Sequence, residues 1–124
     1  MIFVTGGTGF LGRHLVAALC RAGYEARVFT RTPEKHPWLR AYPGVEVFAG
    51  DLVDAARVEA GIEGCDYVIH AGGLFRFWGD EVAFMKTNAL GTENVMGAAL
   101  RTGVKRVVHI SSIAVIGHPH PTEV

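Results

Sequence analysis

Apolar runs of strand length alternate along this chain with segments whose apolar residues recur at helical spacing. Ile2-Phe3-Val4 is the first run and leads into Thr5 and a glycine-rich turn. From about Phe10 to Ala22, residues Leu11, Leu15, Val16 and Leu19 share one helical face, and Gly23 is placed to cap the C-terminus. Tyr24 to Thr30 reads as a second strand, broken by Arg31-Thr32-Pro33. The polar stretch to Gly44 has room for a short helix around Trp38 to Tyr42. Val45 to Ala49 is a third strand. Asp54 is placed to cap a short helix through Ala60, closed by Gly61 and Gly64. Tyr67 to His70 is a fourth strand, followed by an irregular aromatic segment, Leu74 to Asp80. A long helix then spans roughly Glu81 to Thr102, with Gly103 after it. Arg106 to Ser111 is a fifth strand, and a His/Pro-rich stretch runs from Gly117 to Val124.

Strands alternating with helices predict an α/β fold, a Rossmann-type doubly wound parallel sheet with helices on both faces. Right-handed crossovers give the strand order 3-2-1-4-5. The 124 residues are the size of one domain, 1–124, whose pattern stops after the fifth strand and so is expected to be an incomplete version of that fold.

Composition narrows the function classes. The chain is 49% hydrophobic, with 12 basic and 12 acidic residues, a soluble globular balance with no basic excess to attract nucleic acid. No apolar run reaches membrane-spanning length, and no charged leader precedes the first strand, so no signal peptide is read. Cys20 and Cys65 lack metal-site spacing and are expected to be reduced and structural in a cytoplasmic protein. His118 and His120 stand two apart with no acidic or thiol partner, and are expected to belong to a mobile tail rather than to a metal site.

The glycine-rich turn is the strongest chemical signal. Gly6, Gly9 and Gly12 fall at three-residue spacing, and Gly7, Gly9 and Gly12 also fit G-x-G-x-x-G. Each position has a use when a pyrophosphate sits on the N-terminus of the following helix. One glycine makes the tight turn, one lets the backbone approach the phosphates, and one allows close helix–strand packing. An ordinary turn needs one glycine, not four in seven residues. A nucleoside-triphosphate loop would follow Gly12 with Lys and Ser or Thr, where this chain has Arg13 and His14. The strand–turn–helix context therefore favours a dinucleotide.

An NAD site usually has Asp or Glu at the end of the second strand, to accept hydrogen bonds from the ribose. Here Thr30 holds that place and Arg31 follows. With no carboxylate to repel a 2′-phosphate and a guanidinium able to pair with it, NADP is expected in preference to NAD, and Arg13 is a second candidate cation. The plainer reading of Arg31 is a solvated strand-end residue. His70-Ala71-Gly72-Gly73 supplies small residues where backbone would lie against a cofactor. His70 itself is expected to be a strand-end histidine rather than a ligand or base.

Five separated motifs agree. They are Thr5-Gly6-x-x-Gly9-x-x-Gly12, Gly50-Asp51-Leu52, His70-Ala71-Gly72, Asn88-x-x-Gly91-Thr92 and Ser111-Ser112. In order and spacing, over the whole chain, they resemble the extended short-chain dehydrogenase/reductase superfamily of NAD(P)-dependent epimerases, dehydratases and reductases. Phe75-Arg76-Phe77-Trp78 and Ser111-Ser112-Ile113-Ala114 resemble its dihydroflavonol-reductase-like branch. The resemblance implies a cofactor site at Gly6, Thr8, Gly9, Phe10, Leu11, Gly12, Arg31, Asp51, Leu52, Ala71, Gly72 and Ser111. Asp51 would accept from the adenine amino group while Leu52 packs on the ring. The plainer use of Asp51 is to cap the next helix, for which Asp54 is better placed.

The implied catalytic positions are Ser112 and Asn88. Ser112 would donate a hydrogen bond to the substrate oxygen, against the plainer reading of a serine satisfying loop backbone. Asn88 shares a helical face with Phe84, Gly91 and Val95 that is expected to pack toward the sheet, where a buried amide needs partners. Gly91 is expected to permit close helix–sheet approach. The aromatic loop is expected over the nicotinamide end, against an anionic or apolar substrate, or else as a small satellite cluster.

Hydride transfer in the superfamily uses a Tyr-x-x-x-Lys pair on the helix after the fifth strand. Tyr24, Tyr42 and Tyr67 are followed four positions on by Val28, Glu46 and Ala71. The chain is therefore expected to be the N-terminal portion of a longer enzyme acting on a hydroxyl or carbonyl group of a small substrate, a nucleotide-sugar or another alcohol or ketone. Alone it is expected to bind dinucleotide weakly and catalyse nothing. The alternatives are a non-catalytic NADP-sensing module and a binding protein for FAD or a nucleoside-sugar. An exposed apolar edge on the fifth strand would favour self-association.

Overall fold

The structure, a computed structural model, describes residues 1–75 and 78–117. The apolar runs form five strands, β1 (Ile2–Thr5), β2 (Ala26–Thr30), β3 (Val45–Ala49), β4 (Tyr67–His70) and β5 (Arg106–His109). They pair in parallel as one sheet in the order β3-β2-β1-β4-β5, the order expected from right-handed crossovers. Thr5 is in register with Phe29 on one side and His70 on the other, and His70 with His109, so four strands finish level at one edge.

The alternation of side chains divides the core between the two faces. On one face Ile2, Val4 and Ala26 pack under Leu15 and Leu19 of α1 (Phe10–Arg21). On the other, Phe3, Phe29 and Val68 meet Val58 and Ile62 of α2 (Ala55–Ile62) and Val95, Ala98 and Ala99. The latter three lie on the helix that joins β4 to β5. That helix begins as α3 (Glu81–Phe84) and ends as α4 (Gly91–Thr102), and between them Met85–Leu90 is π-helical. The Gly91 N–H accordingly reaches back five residues to the Lys86 carbonyl.

The local signals act where expected, but the bounds shift: α1, β2 and β5 are shorter than expected, and α2 runs through Gly61, its expected stop, to Ile62. Asp54 caps α2, its carboxylate accepting from the Arg57 N–H at 3.0 Å. Gly23 follows α1 at φ 80°, and the Tyr24 N–H closes the turn on the Leu19 carbonyl, which delays β2 to Ala26. The expected helix near Trp38 is a 3-10 turn, Pro37–Ala41, entered through proline. Val108 on β5 and Ile110 just past its end are 47% and 45% exposed. Among the described residues no helix is long and apolar enough to cross a membrane. The histidines of the expected tail, and Arg76 and Phe77 of the aromatic loop, lie outside the described residues.

Candidate functional site

The level strand ends leave a cleft of about 210 Å³ at the carboxyl edge of the sheet, where the strand order reverses between β1 and β4. Its floor is the glycine loop. Gly6 takes φ 68°, a left-handed conformation, and a β-carbon there would collide with the Ala71 carbonyl. The loop after β1 thus lies directly against the backbone after β4. The Gly9 N–H donates to the Gly6 carbonyl at 3.0 Å, and Gly9 then opens α1 without a side-chain cap. The first turn of α1 also carries no acidic residue. The N–H groups of Phe10, Leu11 and Gly12 therefore stand at a helix N-terminus whose positive dipole end meets no side-chain cap and no first-turn acid among the described residues. A cradle that only glycine fits, facing free backbone donors, suits a pyrophosphate.

The structure brings together Gly6, Thr8, Gly9, Arg31, Asp51 and Leu52 in the lining of this cleft, with Ala71 and Gly72. Gly12 is placed differently. It is buried in the lining's support, where a β-carbon would meet the Gly6 carbonyl and the Gly7 backbone. Phe10 and Leu11 turn their side chains to solvent, at 89% and 49% exposure, so only their backbone faces the loop's anion site. Ser111 and Ser112 follow β5 outside the lining.

Asp51 accepts from the Val53 N–H through one oxygen at 3.2 Å, while capping of α2 falls to Asp54. Thr30 is buried, with its hydroxyl accepting from the Thr32 N–H at 3.4 Å. Arg31 is exposed on the rim, and among the described residues no carboxylate pairs with it. Arg13 lies with its guanidinium over the Trp38 ring, 5.6 Å from the centroid, and is not part of the lining.

Asn88 corrects the expectation of burial, since the residue is exposed. Its partners are nonetheless defined: the Leu74 N–H donates to Oδ1 at 2.7 Å and Nδ2 donates to the Leu74 carbonyl at 3.0 Å. The amide pairs with backbone as a neighbouring strand would, and pins the segment leaving β4. The π turn holds it in that position. Gly91 makes a close approach, but to the Leu52 side chain rather than to the sheet, with Asn94 donating to the Leu52 carbonyl at 2.8 Å. Phe75 and Trp78 are 87% and 86% exposed, so these aromatics form no buried satellite cluster.

Sequence reasoning named Thr5 and Thr92 within motifs but gave neither a role. The Thr5 hydroxyl accepts from the Gly72 N–H at 3.0 Å and lies 2.6 Å from His70 Nδ1. His70 Nε2 lies 3.0 Å from the Thr92 hydroxyl. Burial, and next the stacked His109 ring, push the His70 imidazole down to about 4, so it is neutral near pH 7. A hydroxyl residue closing a strand beside a histidine that closes its neighbour was the available signal.

A sequence profile of the NAD dependent epimerase/dehydratase family matches residues 2–124. The chain belongs to this family. Proteins similar to it include a 4-hydroxy-2-methyl-3-oxo-4-farnesyl-3,4-dihydroquinoline-1-oxide ketoreductase of Stigmatella aurantiaca, 36% identical over 96% of this chain and 35% of that protein. A 3 beta-hydroxysteroid dehydrogenase/Delta 5-->4-isomerase of Mycobacterium tuberculosis is 37% identical over 93% of this chain and 32% of that protein. The chain thus spans about a third of the length of the curated relatives it matches. Among solved structures, the Bordetella bronchiseptica enzyme WbmG in complex with NAD superposes with a TM-score of 0.84, at 28% identity, over 99% of this chain and 41% of that one.

Proposed function

We propose that residues 1–124 are the dinucleotide-binding portion of an NAD(P)-dependent oxidoreductase or epimerase acting on a hydroxyl or carbonyl group of a small molecule. The observation that carries this reading is the closure of the Gly6 loop on the Ala71-Gly72 backbone in front of the uncapped α1. In it, the Gly6–Gly9 turn and the first N–H groups of α1 hold the pyrophosphate, with the Thr8 hydroxyl beside them. Asp51 offers its remaining carboxylate lone pairs to the adenine amino group, and Leu52 packs on the ring. Ala71, Gly72 and Ser111 flank the nicotinamide side. The chemistry that such a group supplies when bound is hydride donation or acceptance at a carbon bearing oxygen. Ser112 would donate to the substrate oxygen, and Asn88 holds the Leu74 backbone that borders the reacting end. Relatives named as a ketoreductase and a hydroxysteroid dehydrogenase support a ketone or secondary alcohol as substrate class.

NADP is favoured over NAD because Thr30 leaves no carboxylate at the ribose position and Arg31 lines the cleft with no acidic partner among the described residues. The two free cysteines fit a reducing, cytoplasmic setting. Calorimetric titration of the chain with NADP, NAD and FAD tests the assignment. Binding of NADP at least as tight as NAD, with FAD weaker, is expected; tighter FAD binding would overturn it.

With no Tyr-x-x-x-Lys pair among these 124 residues, this chain by itself is expected to bind dinucleotide and turn over no substrate.

A further inference from the structure

His70 has no part in the roles given above, yet it is completely buried beside the cleft. A residue that merely fills space there would need no polar atoms. His70 has two, and each meets a hydroxyl from a different element: Nδ1 lies 2.6 Å from Thr5 on β1, and Nε2 lies 3.0 Å from Thr92 on α4. Thr5 in turn receives the Gly72 N–H at 3.0 Å. Gly72 lines the cleft, and it packs so closely on Thr5 that a β-carbon would stand 2.9 Å from the hydroxyl oxygen. A continuous series, Gly72 to Thr5 to His70 to Thr92, therefore runs from the cleft wall to the helix that carries Asn88.

The neutral ring makes this series directional. One ring nitrogen donates and the other accepts, so one threonine hydroxyl gives its proton to the ring and the other receives one. The Thr5 oxygen accepts from Gly72 in both tautomers. Which tautomer is present decides whether the Thr5 hydroxyl donates to Nδ1 or accepts from it. A side chain with only one polar end could hold Thr5 or Thr92, but not both.

We propose that His70 is a positioning residue of the dinucleotide site, orienting the Thr5 hydroxyl that holds the Gly72 backbone and tying both to α4 through Thr92. The inference rests on reading the cleft as a dinucleotide site.

Three variants separate this role from space filling, with thermal melting as a folding control. Hydrogen exchange of the Gly72 amide is read in the ligand-free 124-residue chain, and NAD affinity by calorimetry. In His70→Asn the amide replaces Nδ1, and Gly72 protection and the NAD Kd are expected to stay within about threefold of the parent. His70→Gln keeps a group near Thr92 only, and His70→Leu keeps neither. Both are expected to speed Gly72 exchange and raise the Kd about tenfold. A folded His70→Leu with parental exchange and affinity overturns the proposal. Should His70→Leu not fold, Thr92→Val leaves the ring in place and removes only the Nε2 partner. It is expected to raise both readouts by about threefold, and unchanged values overturn the coupling to α4. If the parent chain binds no NAD while the exchange pattern holds, the dinucleotide reading fails and the hold of His70 on Gly72 stands.

Discussion

Arg31 and His70 are opposite cases of charge at one site. Arg31 stays solvated at the rim, so its guanidinium is available to an anion without a desolvation penalty. Arg31→Ala is expected to weaken NADP about tenfold, the worth of one charge-assisted pair of about 1.5 kcal/mol, and to leave NAD within about twofold. Calorimetry on both cofactors checks it, and equal losses would remove the phosphate-pairing role. His70 is the buried case. Its folded pKa of about 4 lies below the ordinary 6.5, so the unfolded chain takes up the proton first as pH falls. Its contribution is intact above pH 6.5 and is lost progressively toward pH 4, at up to about 1.4 kcal/mol per pH unit. Urea melts across this range should therefore fall more steeply for the parent than for His70→Asn. Parallel pH profiles would mean that the ring is protonated in the folded chain. The Gly6 loop was legible in the sequence because only glycine tolerates a positive φ against another backbone. The Thr5–His70–Thr92 series was not, because hydroxyl and imidazole pairing depends on register between strands distant in sequence.

At the scale of elements, the signals that were legible are those with a local cause. Asp54 preceding an apolar helical face announces α2, and the structure gives it the capping bond. Asp54→Ala is expected to lower stability by about 1 kcal/mol in urea melts, because the Arg57 N–H loses its acceptor at the start of a short helix. The loss reaches the core, since α2 supplies Val58 and Ile62 to the larger cluster. An unchanged midpoint would show that solvent replaces the cap fully. The π turn at Met85–Leu90 had no such signature. An α and a π turn use the same residues and differ by one residue of register, so periodicity predicts a continuous helix through both. For the same reason Asn88 was expected to face the sheet. The altered register instead sets its amide against Leu74, outside the core. The early end of β5 at His109 was also illegible from its apolar pattern, because Ile110 continues the run while only its N–H still reaches the His70 carbonyl.

For the whole molecule, the two faces of the sheet are unequally covered. α2 and α4 cover one face around Phe3 and Val68, while α1 covers the other around Ile2, Val4, Ala26 and Val28. Beyond α1, a hollow on this second face is lined by Ile2, Tyr67, Ile69 and Val108, among others. β5 is an edge strand, paired only with β4 in the described residues, and Val108 on it and Ile110 just past its end stand about half exposed. An apolar strip beside unpaired edge hydrogen-bonding groups is a template for a second strand or a second apolar surface. Lys105 and Arg106 at the start of β5 offset this by charge, though Lys105 is already paired with Asp66 at 2.7 Å. The chain is therefore expected to self-associate reversibly. Sedimentation velocity over about a hundredfold range of concentration should show a rising weight-average coefficient, as mass action requires. Val108→Lys places a second cation two residues from Arg106 on the same strand face, where two copies would set like charges together. It should shift the association to higher concentration, most strongly at low salt, where screening is weakest. A chain that sediments as a monomer throughout, or a variant indistinguishable from the parent at every salt concentration, would remove this face as the contact.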